Sequence, residues 1–325
     1  MPDLIEITST HYVGFVVAVL GLLAMDLGVF HRKAHEIHYR EALGWTAFWF
    51  VLALLFAGLV HAFRPPGEAI EFVTGYVIEL SLSMDNIFVI ALIFAYFRVP
   101  VEQQHRVLFW GILGALVMRG VMIGLGAALI RQFHGVLYVM GGFLVVTGVR
   151  MLFVGEDGVH PERNLFIRLA RWFFPVSQEF DGQRFVTRLD GRLALTPLAL
   201  VLVMVETTDL LFAVDSLPAI FAVTQNTFIV FTSNIFAILG LRSLYVVLAG
   251  AINCFHFLKF GLSLVLIFIG IKMLLAIWQI ILPAGLALGV VLALIGISIA
   301  ASIWEARRKR ELHPGRNDSA RPPSA

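Results

Sequence analysis

The stretch Glu79-Leu-Ser-Leu-Ser-Met-Asp85-Asn86 places two carboxylates inside an apolar run that extends from about residue 72 to residue 97. A second stretch, Asp209-Leu-Leu-Phe-Ala-Val-Asp215-Ser216, repeats the pattern some 130 residues later, and a further acid, Glu206, precedes it. An apolar run of this length predicts a helix that crosses a membrane. Charged side chains are costly in such a helix, so both stretches indicate a functional site.

The composition predicts an all-α polytopic membrane protein. Hydrophobic residues make up 59% of the 325 residues and charged residues 14%, which is too apolar for a soluble globular domain. The one cysteine, Cys254, excludes an internal disulfide framework. The first ten residues carry Asp3 and Glu6 instead of a basic segment, so we expect the first apolar run to stay as a helix and not to be removed as a signal peptide.

Apolar runs long enough to cross a bilayer predict nine membrane helices. Lys and Arg concentrate in the loops and tail on one side, with only Arg64 and Arg131 in loops on the other. This bias predicts a multi-pass protein of the inner (cytoplasmic) membrane with its N-terminus outside and its C-terminus in the cytoplasm. The predicted spans are 12–30, 42–62, 72–97, 106–130, 134–154, 196–222, 228–250, 258–279 and 282–303.

Three matched features predict an internal repeat. The two acidic stretches match each other, Arg119 in the fourth helix matches Arg242 in the seventh, and Thr147-Gly-Val-Arg150 matches Ile269-Gly-Ile-Lys272. Helices 3–5 (72–154) would therefore repeat as helices 6–8 (196–279). Because a unit of three helices enters the membrane from the opposite side when repeated in tandem, the repeat is expected to be inverted, as in many secondary transporters.

Two segments are predicted to leave the membrane. Residues 155–195, between the regions 1–154 and 196–305, form a cytoplasmic loop in which Asp190-Gly191 predicts a β-hairpin between 184–189 and 192–195. Within this loop, residues 166–174 fit either an amphipathic interfacial helix or a solvated linker. The basic tail at 306–325, rich in Pro and Ser towards its end, is expected to be disordered.

The buried acids outnumber the buried bases, and this excess points to cation transport. Two arginines, Arg119 and Arg242, cannot neutralise five carboxylates, so protons, cations or both are needed even if some acids form structural ion pairs. Oxygen ligands suit Mg²⁺, Ca²⁺ or Mn²⁺. A sulfur donor from Met84 or Met204 would favour Mn²⁺, although packing is the commoner role of a membrane methionine. The five acids are Glu79, Asp85, Glu206, Asp209 and Asp215.

The spacing of the acids makes a further prediction about helices 3 and 6. Six residues turn an α-helix by about 240°, so Glu79 and Asp85 diverge in a straight helix, as do Asp209 and Asp215. Both acids of a stretch can meet one ion only if the helix is broken. Hydroxyl residues and Pro218 favour such a break, whereas hydroxyls that bond back to their own helix would leave it intact.

At these residues the sequence resembles the TerC family of membrane proteins, closest in pattern to its Alx branch and, more distantly, the LysE-type transporters. The resemblance covers helices 1 to 9 and includes Ser233-Asn234-Ile-Phe-Ala-Ile-Leu-Gly-Leu-Arg242 beside the acidic stretches. It implies a link to tellurium resistance and manganese homeostasis. It also implies the five acids as the ion site, with Asn86, Ser216 and Asn234 as supporting ligands and Arg119 and Arg242 as ion-pair partners.

The expected function is a secondary transporter that exports Mn²⁺, in exchange for protons, through the carboxylates of helices 3 and 6. The alternative is a membrane sensor or scaffold that binds metal or protons without transport. Tellurite transport is disfavoured because an acid-rich core repels anions. We expect no enzymatic activity, prosthetic group or nucleic-acid partner; the expected partners are the lipid bilayer, a divalent cation and protons, and the oligomeric state is left open.

Overall fold

The computed structural model describes residues 7–28, 39–133, 135–153, 164–177, 179–189, 191–249, 257–280 and 282–312. These residues form helices almost throughout, with one two-stranded sheet. The elements are α1 Ser9–Gly28, α2 Tyr39–Phe63, α3 Pro66–Phe97, α4 Val101–Gln132, α5 Gly135–Phe153, α6 Leu165–Phe173, β1 Val186–Leu189, β2 Arg192–Leu195, α7 Pro197–Phe221, α8 Thr227–Leu239, α9 Leu241–Ala249, α10 Leu258–Leu275 followed by the 3-10 turn Ala276–Trp278, and α11 Ala284–Leu312.

The helices confirm an all-α polytopic membrane protein. Among the described residues, seven helices are long and apolar enough to cross a membrane, or up to eight if α8 and α9 form one bent span. The apolar part of α1, Ser9–Met25, is shorter. Nine full spans therefore remain a prediction, although each predicted segment overlaps a helix and the seventh overlaps two. Large apolar side chains such as Leu125 and Val139 stand exposed on the outer faces, as lipid-facing residues do.

The central helix is α3, which contacts α2, α7, α8, α9 and α11. It begins at Pro66, whose fixed φ suits the first turn of a helix. It ends at Arg98, in the left-handed conformation with φ 53°. Only Arg98, Val99 and Pro100 connect α3 to α4, so the chain changes direction within three residues.

The prediction that helices 3 and 6 are broken is wrong. Both α3 and α7 are uninterrupted α-helices through their acidic stretches. The hydroxyls bond within their own helices without interrupting them, because Ser81, Thr207 and Thr208 donate to the carbonyl oxygens of Val77, Val203 and Met204 at 2.6, 2.6 and 2.7 Å. The last turn of α7 contains Pro218, close enough to the end for the helix to survive.

The break lies instead in the predicted helix 228–250. There α8 ends at Leu239 and α9 begins at Leu241, with an angle of 46° between them at Gly240. Glycine is among the weakest helix formers, which makes this position a natural place for a bend. The seventh predicted helix is therefore two helices, and Arg242 stands at the start of the second.

Between α5 and α7, the non-membrane segment has the predicted hairpin. Strands β1 and β2 pair antiparallel, with Val186 opposite Leu195 and Leu189 opposite Arg192, and Gly191 has a positive φ of 78°. The guanidinium of Arg106, near the start of α4, lies 5.3 Å from the Phe185 ring centroid. The hairpin region is thus attached to the first turns of α4; its predicted turn residue Asp190 lies outside the described residues.

Two other segments outside the predicted membrane helices, 165–173 and 306–312, are helical. Residues 165–173 form α6, an amphipathic helix capped by Asn164, so the linker interpretation is set aside there. Predicted disorder from residue 306 is wrong for its first part, since α11 continues to Leu312. The remainder of the tail, 313–325, lies outside the described residues.

An unusually close contact joins α5 and α10 through glycines. A methyl group at Gly270 would lie 2.7 Å from the carbonyl oxygen of Gly141, and one at Gly148 would lie 2.8 Å from that of Ser263. In the predicted repeat, Gly141 matches Ser263 and Gly148 matches Gly270. The two contacts are therefore exchanged by the operation that relates the halves, as at a two-fold interface.

Candidate functional site

The guanidinium of Arg119 is the centre of a polar cluster inside the helical bundle. Its side chain lies halfway along α4 and is 1% exposed. It forms an ion pair with Glu79 of α3 and grips Asp209 of α7 with two bonds, from Nη2 to Oδ1 at 2.9 Å and from Nε to Oδ2 at 3.2 Å. Its Nη1 also donates to Asn234 Oδ1 of α8 at 3.4 Å. Four helices therefore meet at one side chain.

A single face of α3 supplies three polar residues to this region. Glu79, Ser83 and Asn86 are spaced four and seven residues apart, which puts them on one side of an unbroken helix. All three are buried, at 1%, 0% and 4% exposure. Asn86 joins the cluster directly, since its Nδ2 donates to Asp209 Oδ1 at 3.2 Å.

The charges in the cluster do not balance. Glu79 and Asp209 carry two negative charges when ionised, and Arg119 supplies one positive charge. A buried charge without compensation costs several kcal/mol, so the remaining charge favours a proton or a cation. Arg119 forms ion pairs with both of these acids.

Several buried polar atoms of this region have no hydrogen-bond partner among the described residues. Most such atoms in folded proteins are satisfied, so each one needs an explanation, such as a missing ion or water. Three of them are oxygens on the polar face of α3. The group comprises Glu79 Oε2, Ser83 Oγ, Asn86 Oδ1, Ser216 Oγ and Asn234 Nδ2.

The other two acids of α7 face different helices. Glu206 lies against α4, because a methyl group at Gly114 would overlap its carboxylate. Asp215 lies beside α5 and accepts a hydrogen bond from Thr147 Oγ1 at 3.5 Å. Both side chains are half-buried. Nine residues separate Glu206 from Asp215, so they lie about half a turn apart around the α7 axis, beyond two full turns.

The described residues hold no group of three His, Cys, Asp or Glu side chains arranged for a metal. Of the five predicted acids, the structure brings Glu79 and Asp209 together, with Arg119 between them. Asp85 is half-buried on α3, six residues beyond Glu79. The metal-ligand roles of these acids stay predictions, and convergence of all five on one ion would need rearrangement of the helices.

The predicted sulfur donors lie away from this cluster. Met84 packs with the apolar core. Met204 is buried, and its Sδ accepts a hydrogen bond from Asn164 Nδ2 at 3.3 Å, which attaches α6 to α7. Arg242 is 6% exposed at the start of α9, and its pairing with an acid of the site stays a prediction.

Sequence reasoning missed three residues that shape the site: Ser83, Gly114 and Thr147. Ser83 is visible in the motif, and its spacing from Glu79 and Asn86 places it on their face once the helix is taken as unbroken. Thr147 stands in the repeat motif but carries no charge. Gly114 gives no signal in the sequence, because its role depends on which helix faces it.

Comparison with known proteins identifies the family. Residues 65–310 match the integral membrane protein TerC family. The chain belongs to the TerC family. The match begins just before α3 and includes every residue of the Arg119 cluster, so this cluster lies in the part of the chain that family members share.

Individual relatives agree with this assignment. An uncharacterized membrane protein of Myxococcus xanthus, STKORF319, is 54% identical over 264 residues, which cover 81% of this chain and 82% of that protein. A protein of Escherichia coli strain K12, called membrane-bound redox modulator Alx, is 45% identical over 287 residues, covering 85% and 89%. A membrane protein of Rickettsia felis is 39% identical over 259 residues, covering 79% and 86%. No solved structure matches the chain.

Proposed function

We propose that this TerC-family protein is a secondary transporter that exports a divalent cation, most readily Mn²⁺, from the cytoplasm across the inner membrane in exchange for protons. The carrying observation is the cluster at Arg119, where two carboxylates and several unpartnered oxygens meet inside the bundle. Ionisable residues within membrane helices commonly mark ion pathways. Carboxylate, hydroxyl and amide oxygens suit Mn²⁺ and similar hard cations.

Packing between the halves supports an inverted repeat. In the predicted repeat α3 matches α7 and α4 matches α8, and the contact of α3 with α8 has its counterpart in the contact of α7 with α4. The glycine contacts between α5 and α10 also match each other when the two halves are exchanged. Transporters with inverted repeats hold their substrate near the membrane midplane, where the two units meet. Glu79 and Asp209 are matching residues of the two units and meet in this way at Arg119.

Arg119 gives this site a built-in counter-cation. Both oxygens of Asp209 accept hydrogen bonds from its guanidinium, so a cation that binds Asp209 competes with Arg119 for the same carboxylate. Loading of the metal and release of the guanidinium are then linked steps. Protonation of the carboxylates from outside lowers their affinity for the metal, so one set of acids serves both the proton and the cation.

The direct test is metal flux into proteoliposomes with Mn²⁺, Ca²⁺, Mg²⁺ and Zn²⁺ under an imposed pH gradient. We expect Mn²⁺ flux that depends on the gradient and disappears in Asp85→Asn and Asp215→Asn. Flux in these variants equal to that of the parent would remove Asp85 and Asp215 from the predicted ion site. The absence of any flux, with stoichiometric Mn²⁺ binding, would favour a sensor or scaffold.

The name of the Escherichia coli relative raises redox modulation as a second candidate. Thiol–disulfide exchange within one chain needs two cysteines, and the sequence has only Cys254. A redox effect would therefore arise indirectly, for example through the manganese content of the cell. Substitution of Cys254 by Ser is expected to leave Mn²⁺ flux unchanged; loss of flux in that variant would favour a direct thiol role.

A further inference from the structure

The hydroxyl groups in the membrane helices differ in whether they have a hydrogen-bond partner. Most donate to a backbone carbonyl three or four residues earlier, the usual arrangement for Ser and Thr in a membrane helix. This set comprises Thr46, Thr74, Ser81, Thr207, Thr208, Thr232, Ser233, Ser243, Ser263 and Ser298. Ser83 and Ser216 do not, and their buried Oγ atoms have no partner among the described residues. A third such hydroxyl, on Thr227, stands at the start of α8.

The register of α3 against α7 brings the two exceptions to the same region. Asn86 bonds to Asp209, and a methyl group at Gly75 would contact Ile220 at 3.8 Å. From the first contact to the second, the residue number on α3 falls from 86 to 75, whereas that on α7 rises from 209 to 220. The two helices are therefore antiparallel. Four residues from the second contact, counted towards the first, are Glu79 on α3 and Ser216 on α7. These two residues therefore lie at the same height.

The same register sets what stands opposite Ser83. The α7 position level with it is next to Ala213, a fully buried residue on the same face as Asp209 and Ser216. Ala213 also follows Asp209 by four residues, just as Ser83 follows Glu79, so the two are matching positions of the repeat and one has lost the hydroxyl.

These oxygens form a set that Arg119 does not use. Arg119 pairs with Glu79 Oε1 and with both oxygens of Asp209. The oxygens without a partner among the described residues are Glu79 Oε2, Asn86 Oδ1, Ser83 Oγ and Ser216 Oγ. All four lie on the facing sides of α3 and α7, and each belongs to a side chain that is at most 4% exposed. One carboxylate and three neutral oxygens are the mixture that hard divalent cations accept.

We propose that Ser83 is a ligand of the transported cation and that its hydroxyl, with Glu79 Oε2, Asn86 Oδ1 and Ser216 Oγ, forms the half of the ion site next to Arg119. The inference rests on the proposed transport function and deepens it. It assigns to Ser83 a role that its neighbour Ser81 does not share, because the Ser81 hydroxyl is already bonded to Val77 O. The two serines differ by two positions in one helix and serve as a matched pair.

The experiment compares Ser83→Ala with Ser81→Ala in the full chain. Binding of Mn²⁺ in detergent is measured by calorimetry, and flux is measured in proteoliposomes. Since loss of even an outer partner of a metal costs about 10- to 100-fold in affinity, Ser83→Ala is expected to weaken Mn²⁺ binding at least about tenfold. Ser81→Ala should stay within about twofold of the parent.

A second variant guards against a general structural effect. Ser83→Cys keeps the size of the side chain but replaces a hard oxygen with a soft sulfur, so a ligand role predicts a shift of preference from Mn²⁺ towards Cd²⁺. The double variant Ser83→Ala/Ala213→Ser restores a hydroxyl at nearly the same level on α7 and is expected to recover part of the Mn²⁺ affinity. A merely structural serine would give neither result.

The outcomes separate this inference from the proposed function. A parent that transports Mn²⁺ while Ser83→Ala matches Ser81→Ala, and while Ser83→Cys keeps the parent's metal preference, overturns the ligand role alone. A parent that neither binds nor transports Mn²⁺ overturns both. Loss of Mn²⁺ affinity in Ser83→Ala together with the Cd²⁺ shift in Ser83→Cys supports the assignment.

Discussion

Helix α4 and the pair α8–α9 carry matching sequences but have different shapes. Gly111-Ile-Leu-Gly-Ala-Leu-Val-Met-Arg119 continues as one straight helix, whereas Asn234-Ile-Phe-Ala-Ile-Leu-Gly-Leu-Arg242 bends by 46°. The residue two positions before the arginine is Val117 in the first and Gly240 in the second. Arg119 thus lies within an uninterrupted helix, whereas Arg242 lies just after a bend at Gly240.

The difference also appears in the neighbours of each segment. Arg119 is fixed by Glu79, Asp209 and Asn234, which come from three other helices. Gly240 packs close to Trp49 of α2, a helix outside the repeat. The arginine of α4 is therefore held from three sides, whereas the bend between α8 and α9 lies against a helix outside the predicted repeat. In the proposed transport cycle, one unit of the predicted repeat moves against the other around the ion, and the bend at Gly240 is the expected site of that movement.

The largest effect is expected from Arg119→Gln. Two buried carboxylates would lose their counter-charge, which costs about 3–5 kcal/mol of unfolding free energy. If Arg119 holds the place of the cation, added Mn²⁺ should restore part of this loss, because an ion bound only to the folded state stabilises it. Thermal unfolding in detergent, with and without Mn²⁺, measures both quantities. The same recovery in Arg242→Gln would erase the distinction between the two arginines.

The next effect concerns the contact where the halves are most alike. Gly148→Ala and Gly270→Ala each push a methyl group into the backbone of the facing helix, and such overpacking costs about 1–3 kcal/mol. Because the positions match in the repeat, we expect similar decreases in melting temperature for the two. The control is Gly142→Ala, since a methyl group there meets nothing within 4 Å. Clearly unequal effects of Gly148→Ala and Gly270→Ala would count against two-fold packing.

A third substitution tests the role of Glu206, whose carboxylate lies against Gly114 of α4. Gly114→Ala on α4 displaces the Glu206 carboxylate, so Mn²⁺ flux should fall about tenfold, with a loss of stability of about 1 kcal/mol. Gly124→Ala on the same helix meets nothing within 4 Å and should keep normal flux. Flux and melting temperature are measured for both. Normal transport by Gly114→Ala would remove Glu206 from the pathway.

The smallest effect on stability is expected at Gly240, where α8 and α9 meet at an angle. Gly240→Ala introduces only an ordinary contact with Trp49, at 3.6 Å, and alanine favours a helix by about 1 kcal/mol over glycine. A stiffer joint should slow turnover several-fold and leave the KM for Mn²⁺ unchanged. Val117→Gly is the reciprocal variant, since it places glycine at the matching point of α4. Unchanged turnover in Gly240→Ala would show that the bend is fixed during transport.

Much of this architecture follows from local features of the sequence. The length of the apolar runs predicts the positions of the helices, and Asp190-Gly191 between two short strands predicts the hairpin, because both depend on neighbouring residues. The broken-helix prediction for α3 and α7 failed because it assumed that both acids of each stretch meet one ion. The hydroxyls of these stretches bond within their own helices, an outcome that the residue types leave open.

The sequence by itself determined that carboxylates lie in membrane helices in excess of the arginines, since residue types and hydropathy suffice for that. Only the tertiary structure decided which acids meet. Glu79 and Asp209 share Arg119, Glu206 fills the space above Gly114, and Asp215 turns towards Thr147. The physical reason is that a helix directs side chains every 100° around its axis, so their partners depend on which helices pack on each side.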